Sequence, residues 1–118
     1  GIPKATVPPT QSQPAYASVL AVLERLEAAY ARLDVNEVAR IWPSRAGQFR
    51  NQRSALNGMS LDVVQSQITI NGDTATVRCE LRWKYDWKRS NPAGESSTAN
   101  AELTLRRTPD GSWVIIRP

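Results

Sequence analysis

From Thr74 to Lys88 apolar and polar residues alternate without a break. Ala75, Val77, Cys79, Leu81, Trp83, Tyr85 and Trp87 take one side, and Thr76, Arg78, Glu80, Arg82, Lys84, Asp86 and Lys88 take the other. A period of two over this length predicts a long β-strand with one dry face and one wet face. The dry side grows from Ala75 to Trp87, so whatever it covers must be wider at the aromatic end.

The other elements fall around this strand. Val19, Val22, Leu23, Leu26, Ala29, Tyr30 and Leu33 recur at helical spacing and predict a helix over 15–33 with one apolar stripe. Asp34 and Glu37 have the spacing of a capping box, and Leu33 and Val38 bracket it as a hydrophobic staple, so a short second helix starts at Asp34 and stops at Pro43. Ser44 to Asn57 reads as a third, less regular helical segment ended by Gly58. Met59 to Ile70 reads as the first strand. Its apolar phase changes between Leu61/Val63 and Val64/Ile68/Ile70, which predicts a bulge near Val63–Val64. Asn71–Gly72–Asp73 marks a tight hairpin into the long strand.

After a loop over 89–95, Ser96 to Arg107 reads as a strand with Ala99, Ala101, Leu103 and Leu105 inward. Its small end is expected beside the aromatic end of the long strand, small against large. Thr108 to Gly111 is a turn, and Trp113 to Ile116 is apolar in both phases, which predicts a central strand or one whose outer face meets another surface. Residues 1–14 hold four prolines and no apolar periodicity, so they read as a linker or tether ahead of a single domain over 15–118. The fold class is therefore α+β: a long N-terminal helix and two shorter helices, then four strands as an antiparallel meander.

Composition narrows the chemistry. A length of 118 residues with 41% hydrophobic and 22% charged residues suits one core. No apolar run approaches the ~20 residues that span a bilayer, and the start carries no signal-peptide pattern. The net charge of +4 is spread along the chain without a recognition motif, so no nucleic-acid partner is expected. There is one cysteine, Cys79, on the dry face; it can form no disulfide within the chain and reads as a small buried hydrophobe. There is no histidine, which removes Ser–His and Cys–His pairs, histidine metal sites and the usual general base. Neither a metal nor a cofactor is expected, and no residue is singled out as catalytic.

Three groups of residues remain as candidates. Tyr30, Trp42, Phe49, Trp83, Tyr85 and Trp87 would either line a pocket for a small, mostly apolar ligand or simply fill the core. Arg45, Arg50 and Arg53 form the densest basic cluster, which reads as solvated helix surface or as an anion-binding rim. Arg78, Glu80, Arg82, Glu102, Thr104 and Arg106 share the wet face of the sheet, where mixed signs suit solvent or a self-complementary homodimer. A docking patch around Val114 and Ile116 is a weaker option.

The runs LERLEAAYARLD at 23–34 and VARIWP at 38–43, the hairpin INGDTATVRCELRW within 68–83, and GSWVIIR at 111–117 together resemble the nuclear transport factor 2-like (SnoaL-like) family. The resemblance covers about 15–117 and implies a cystatin-like cone, a curved four-stranded antiparallel sheet wrapped around the long N-terminal helix with two shorter helices. That family includes isomerases, dehydratases, cyclases, transport factors and accessory domains. The resemblance implies an aspartate base with tyrosine and acid partners for an isomerase, and a His/Asp pair for a cyclase or dehydratase. The second is excluded by composition. The first lacks an inward acid on the long strand, since Glu80 and Asp86 have outward parity. A proline-rich linker followed by such a domain is similar to the extracytoplasmic C-terminal part of bacterial serine/threonine kinases. This implies an accessory or sensor domain of a larger bacterial envelope protein, reaching a membrane only through its parent chain.

Overall fold

The computed structural model describes residues 13–89 and 94–118. The proline-rich tether lies outside them except for its last two residues, and Gln13 and Pro14 already belong to the first helix. The elements run α1 (Gln13–Ala31), α2 (Val35–Ile41), α3 (Pro43–Arg53), β1 (Leu56–Asn71), β2 (Thr74–Trp87), β3 (Gly94–Arg107) and β4 (Trp113–Arg117). The strands form one antiparallel sheet in the order β1-β2-β3-β4. Part of the expected loop before β3, residues 90–93, lies outside the described residues.

α1 forms because its apolar stripe has somewhere to go. Ala15, Val19, Val22, Leu23, Leu26, Ala29 and Tyr30 are all buried against the inner face of the sheet. Burial of this kind stabilises by roughly 1.5–3 kcal/mol for each large side chain, and that is what holds a helix with no charged residue in its first or last turn. Leu33, two residues past the end of α1, has a φ of 56°, a left-handed conformation usually left to glycine. The carbonyl of Leu33 accepts from Nε of Arg53 at 2.9 Å, which holds that turn against α3.

α2 is capped as its sequence implies, but only half of the capping box is made. Asp34 Oδ1 accepts the backbone N–H of Glu37 at 3.1 Å. The Glu37 carboxylate does not reach back; it takes Arg25 at 2.8 Å and Arg40 at 2.9 Å instead. Trp42 ends α2 and begins α3, with Pro43 in the first turn where its missing N–H costs nothing.

Four expectations need correction. α3 stops at Arg53 with Ser54 as its cap, and Gly58 sits inside β1. Ala55 already pairs across the sheet, accepting from Lys88 N at 2.9 Å, and a register shift between Leu56 and Gly58 takes up the change from helix to strand. The second shift of β1 lies between Gln65 and Gln67, two residues beyond the expected place. Val64 therefore keeps outward parity and is exposed, while Ile68 turns inward. The small residues of β3 do not face the aromatics: Ala99 pairs with Leu81 and Ala101 with Cys79, whereas Trp83 meets Ser97 and Tyr85 meets Glu95. Ala99 is exposed despite its inward parity. Finally, β4 is an edge strand rather than a central one. Its apolar outer residues divide, with Val114 half-buried and Ile116 exposed.

Candidate functional site

The wide end of the cone is built by α1, α3 and the second half of β2. Tyr30 comes from the last turn of α1 and Phe49 from the inner side of α3, and their ring centroids are 4.7 Å apart. Trp83 stands edge-on to Tyr30 at 5.2 Å and lies 6.4 Å from Trp42. Strand periodicity then sets Tyr85 and Trp87 beyond it on the same face, nearly parallel, with centroid spacings of 6.3 and 5.3 Å. Tyr30, Trp42, Phe49 and Trp83 are buried, and Tyr85 and Trp87 are half-buried. The indole N–H of Trp87 donates to Glu95 Oε1 at 2.7 Å, tying the tips of β2 and β3 together.

The void between Tyr30, Phe49, Met59, Trp83 and Tyr85 on one side and Arg45, Gln48 and Gln52 on the other is about 10 Å³. That is at most the space of one water molecule. The aromatic end is therefore closed in this conformation. Arg45 closes it, with its guanidinium 5.0 Å from the Trp42 ring and 5.6 Å from the Trp83 ring. Burial pushes the Tyr30 hydroxyl far above its ordinary range, against a smaller opposing pull from Arg45. Tyr85 shifts the same way, again by burial first. Both phenols are therefore held in the protonated form, and neither serves as a base near neutrality.

The three arginines of α3 do not converge. Arg45 lies over the tryptophans, Arg53 is committed to the Leu33 carbonyl, and Arg50 is exposed on the helix. The polar partners that do join Arg45 at the mouth are Gln48 and Gln52, which follow it at helical spacing. On the outer face of the sheet the charges pair within the chain. Arg78 meets Glu102 at 3.1 Å and Arg82 meets Glu80 at 2.6 Å, while Thr104 lies opposite Arg117 and Arg106 opposite Val114.

One residue escaped sequence reasoning. Glu27 lies just off the apolar stripe of α1, and its Oε2 accepts the backbone N–H of Val63 at 2.7 Å. Val63 is on β1, one of the two edge strands, so this contact fastens α1 to the sheet and satisfies an edge amide. Burial raises the Glu27 pKa; the Val63 bond works against that, and the charges of Asp62 and Glu24 add to it. Nothing local in the sequence marks the contact, because its partner is 36 residues away. Cys79 is buried with its thiol pKa raised by burial. Among the described residues no three histidine, cysteine, aspartate or glutamate side chains cluster as a metal site would require, and no helix is long and apolar enough to cross a membrane.

No protein-family model and no curated protein matches the sequence. The backbone does match solved structures. A conserved protein from Planctomyces limnophilus superposes with a TM-score of 0.77 over 90% of this chain and 94% of its own, at 16% identity. A nuclear transport factor 2 (NTF2-like) superfamily protein from Salmonella enterica gives 0.72 over 90% and 89%, at 11% identity. An NTF2-like protein with a cystatin-like fold from Novosphingobium aromaticivorans gives 0.66 over 88% and 79%, at 18% identity. The chain has the NTF2-like, cystatin-like fold. At these identities the likeness carries the fold and no activity.

Glu95 is the one carboxylate among the described residues that meets the aromatic row, and it is exposed and engaged by Trp87. Burial raises the Glu27 pKa, and its carboxylate accepts the amide of Val63 on β1. What the wide end of the NTF2-like cone offers is packed aromatic surface under a cation, with amide side chains at its border.

Proposed function

We propose that this chain is a non-catalytic binding module, an accessory domain of a larger bacterial protein, and that it takes its ligand or protein partner on the aromatic mouth. The observation that carries this reading is the row Trp83–Tyr85–Trp87 continuing out of the core along β2. The row starts buried beneath Arg45 and ends half-buried at Trp87. Rings graded from core to surface suit contact with a flat apolar or aromatic group, because they supply area at low cost in side-chain entropy. The void of about 10 Å³ argues against a small molecule enclosed in the cone as it stands. The prolines of residues 1–14 support the tethered, accessory role.

The chain has four tryptophans, and each indole N–H gives one resolvable NMR signal. Titration with aromatic and apolar fragments is expected to shift the Trp87 and Trp83 signals and to leave Trp113, buried at the far side beside β3, in place. A titration in which only Trp113 responds, or in which no indole responds across a broad fragment set, overturns the reading. An isomerase- or cyclase-like enzyme is the alternative, and it would have to work through Glu27. Fragments that perturb the Glu27 carboxylate rather than the indoles would move that reading ahead.

A further inference from the structure

A groove of about 500 Å³ lies between the helices and the connection from β3 into β4, and it shares no lining residue with the aromatic mouth. Its volume falls within the range of small-molecule sites. Arg25 of α1 and Arg40 of α2 line the helical wall. Asp110 stands on the β3–β4 turn, and Ile41, Pro109, Trp113 and Val114 supply apolar surface.

The two arginines are held as a pair by one acid. Arg25 donates Nε and Nη2 to Glu37 Oε2 at 3.1 and 2.8 Å, and Arg40 donates Nη1 to Glu37 Oε1 at 2.9 Å. The Glu37 side chain is only 14% exposed, whereas those of Arg25 and Arg40 are 49% and 69% exposed. The bond from Arg25, first, and that from Arg40 hold the Glu37 pKa down against desolvation, so the acid stays ionised. Two guanidiniums share one carboxylate, which leaves one positive charge over. Nη1 of Arg25 and Nη2 of Arg40 remain outside the clasp. A clasped guanidinium is already oriented, so an incoming anion does not have to order it.

Trp113 is the second observation. It lines the groove and is 2% exposed, yet its indole N–H has no hydrogen-bond partner among the described residues. Buried donors are normally paired, so an oxygen supplied here is stabilising. Arg107 lies 4.8 Å from the Trp113 ring and 3.9 Å from Asp73, so its charge is answered by that acid. Asp110 is a fixed negative charge: the Thr108 hydroxyl and the Ser112 amide donate to it, and they hold its pKa low. The β4 wall is braced at both ends. Trp113 pairs with Arg107, and past Arg117 the Pro118 carbonyl accepts from Ser44 Oγ at 2.9 Å and from Trp42 Nε1 at 3.4 Å.

We propose that this groove binds a small aliphatic monocarboxylate. The carboxylate takes Nη1 of Arg25, Nη2 of Arg40 and the Trp113 N–H, and the tail lies on Ile41, Pro109 and Val114. One surplus guanidinium charge matches one carboxylate, and Asp110 repels a second. Phosphate and dicarboxylates are therefore the poorer ligands. The site is independent of what the aromatic mouth binds.

Hexanoate, its neutral counterpart hexanamide and the dicarboxylate adipate test this on the wild-type chain, with the indole N–H signals as reporters. Hexanoate is expected to move the Trp113 indole proton downfield, as a new hydrogen bond would, and to leave Trp83 and Trp87 in place. Hexanamide and adipate are expected to leave Trp113 where it is. Arg40→Gln, at an exposed position, is expected to keep the circular dichroism spectrum and to raise the hexanoate dissociation constant about tenfold, the loss of one charged hydrogen bond. Asp110→Asn keeps an acceptor for the turn and is expected to admit adipate. A Trp113 signal that stays still in millimolar hexanoate overturns the proposal, as does hexanamide or adipate binding as tightly as hexanoate. Hexanoate acting on Trp83 and Trp87 alone overturns it too, and leaves the reading of the aromatic mouth standing.

Discussion

Replacing Glu27 tests how the central helix is fastened to the sheet. Glu27 Oε2 takes the Val63 amide at 2.7 Å at a partly buried seam. Glu27→Ala leaves that N–H without its acceptor. A hydrogen bond to a charged group contributes about 1.5–3 kcal/mol net, and partial access of water to the seam puts the expected loss near the lower end, about 1.5 kcal/mol. For a chain of this size that lowers the melting temperature by roughly 6 °C. Glu27→Gln keeps an acceptor oxygen and removes the charge. Burial raises the native pKa of Glu27 above its ordinary 4.5. Between those two values the native state holds the proton more often than the unfolded chain does. Stability from this group is therefore full below the ordinary value and falls as pH rises through the native one. Above that window Glu27→Gln escapes the penalty of a charged carboxylate beside Asp62 and Glu24. It is expected to melt at or above the wild type at neutral pH and to show a flatter stability profile as pH rises from the ordinary value of 4.5. Calorimetric melts of the three proteins across that range read both effects. The reasoning fails if Glu27→Ala melts with the wild type, or if Glu27→Gln falls as far as Glu27→Ala.

Other contacts give shorter tests. The Asp34 pKa is lowered, first by the Glu37 amide and then by Arg32, so its contribution is present above its ordinary value of 3.8 and is lost as pH falls below it. Asp34→Asn is expected to abolish that acid limb in melts while keeping the cap, and Asp34→Ala to destabilise at every pH. Arg53→Ala frees the Leu33 carbonyl at a left-handed turn and is expected to cost about 1 kcal/mol in urea unfolding; Arg53→Lys should not restore it fully, because a single ammonium replaces the guanidinium fork. Cys79 is buried with a raised pKa, so a thiol reagent is expected to label it only after denaturant is added, and labelling of the native chain at the rate of a free thiol would contradict the packing.

The parts legible in the sequence are those where one interaction dominates. β2 is read almost to the residue because alternation over its whole length needs no partner to be recognised. α1 is read from its stripe, and α2 from Asp34 and Pro43, whose effects are local. Reading fails where a residue has two possible jobs. Gly58 looks like a helix stop but serves an irregular strand start, and Ala99 has inward parity yet stays exposed. β4 looks central because Val114 and Ile116 are apolar, yet it closes the sheet as an edge. The aromatic residues could be listed from the sequence, but not the closure of the void by Arg45, which depends on the angle at which α3 leaves Trp42. Glu27 and Val63 were invisible for the same reason: their meeting is a product of the fold.

The bond from Pro118 back to Trp42 and Ser44 joins positions 76 and 74 residues apart. Trp42 is also the ring that stacks near Trp83 and lies beneath Arg45. The last residues of β4 therefore hold two things at once, with Arg117 paired to Thr104 of β3 and the Pro118 carbonyl bonded to the back wall of the aromatic mouth. The end of β4 is thus fastened to the back wall of that surface, and displacing Pro118 loads Trp42 and, through it, the seat of Arg45 and Trp83.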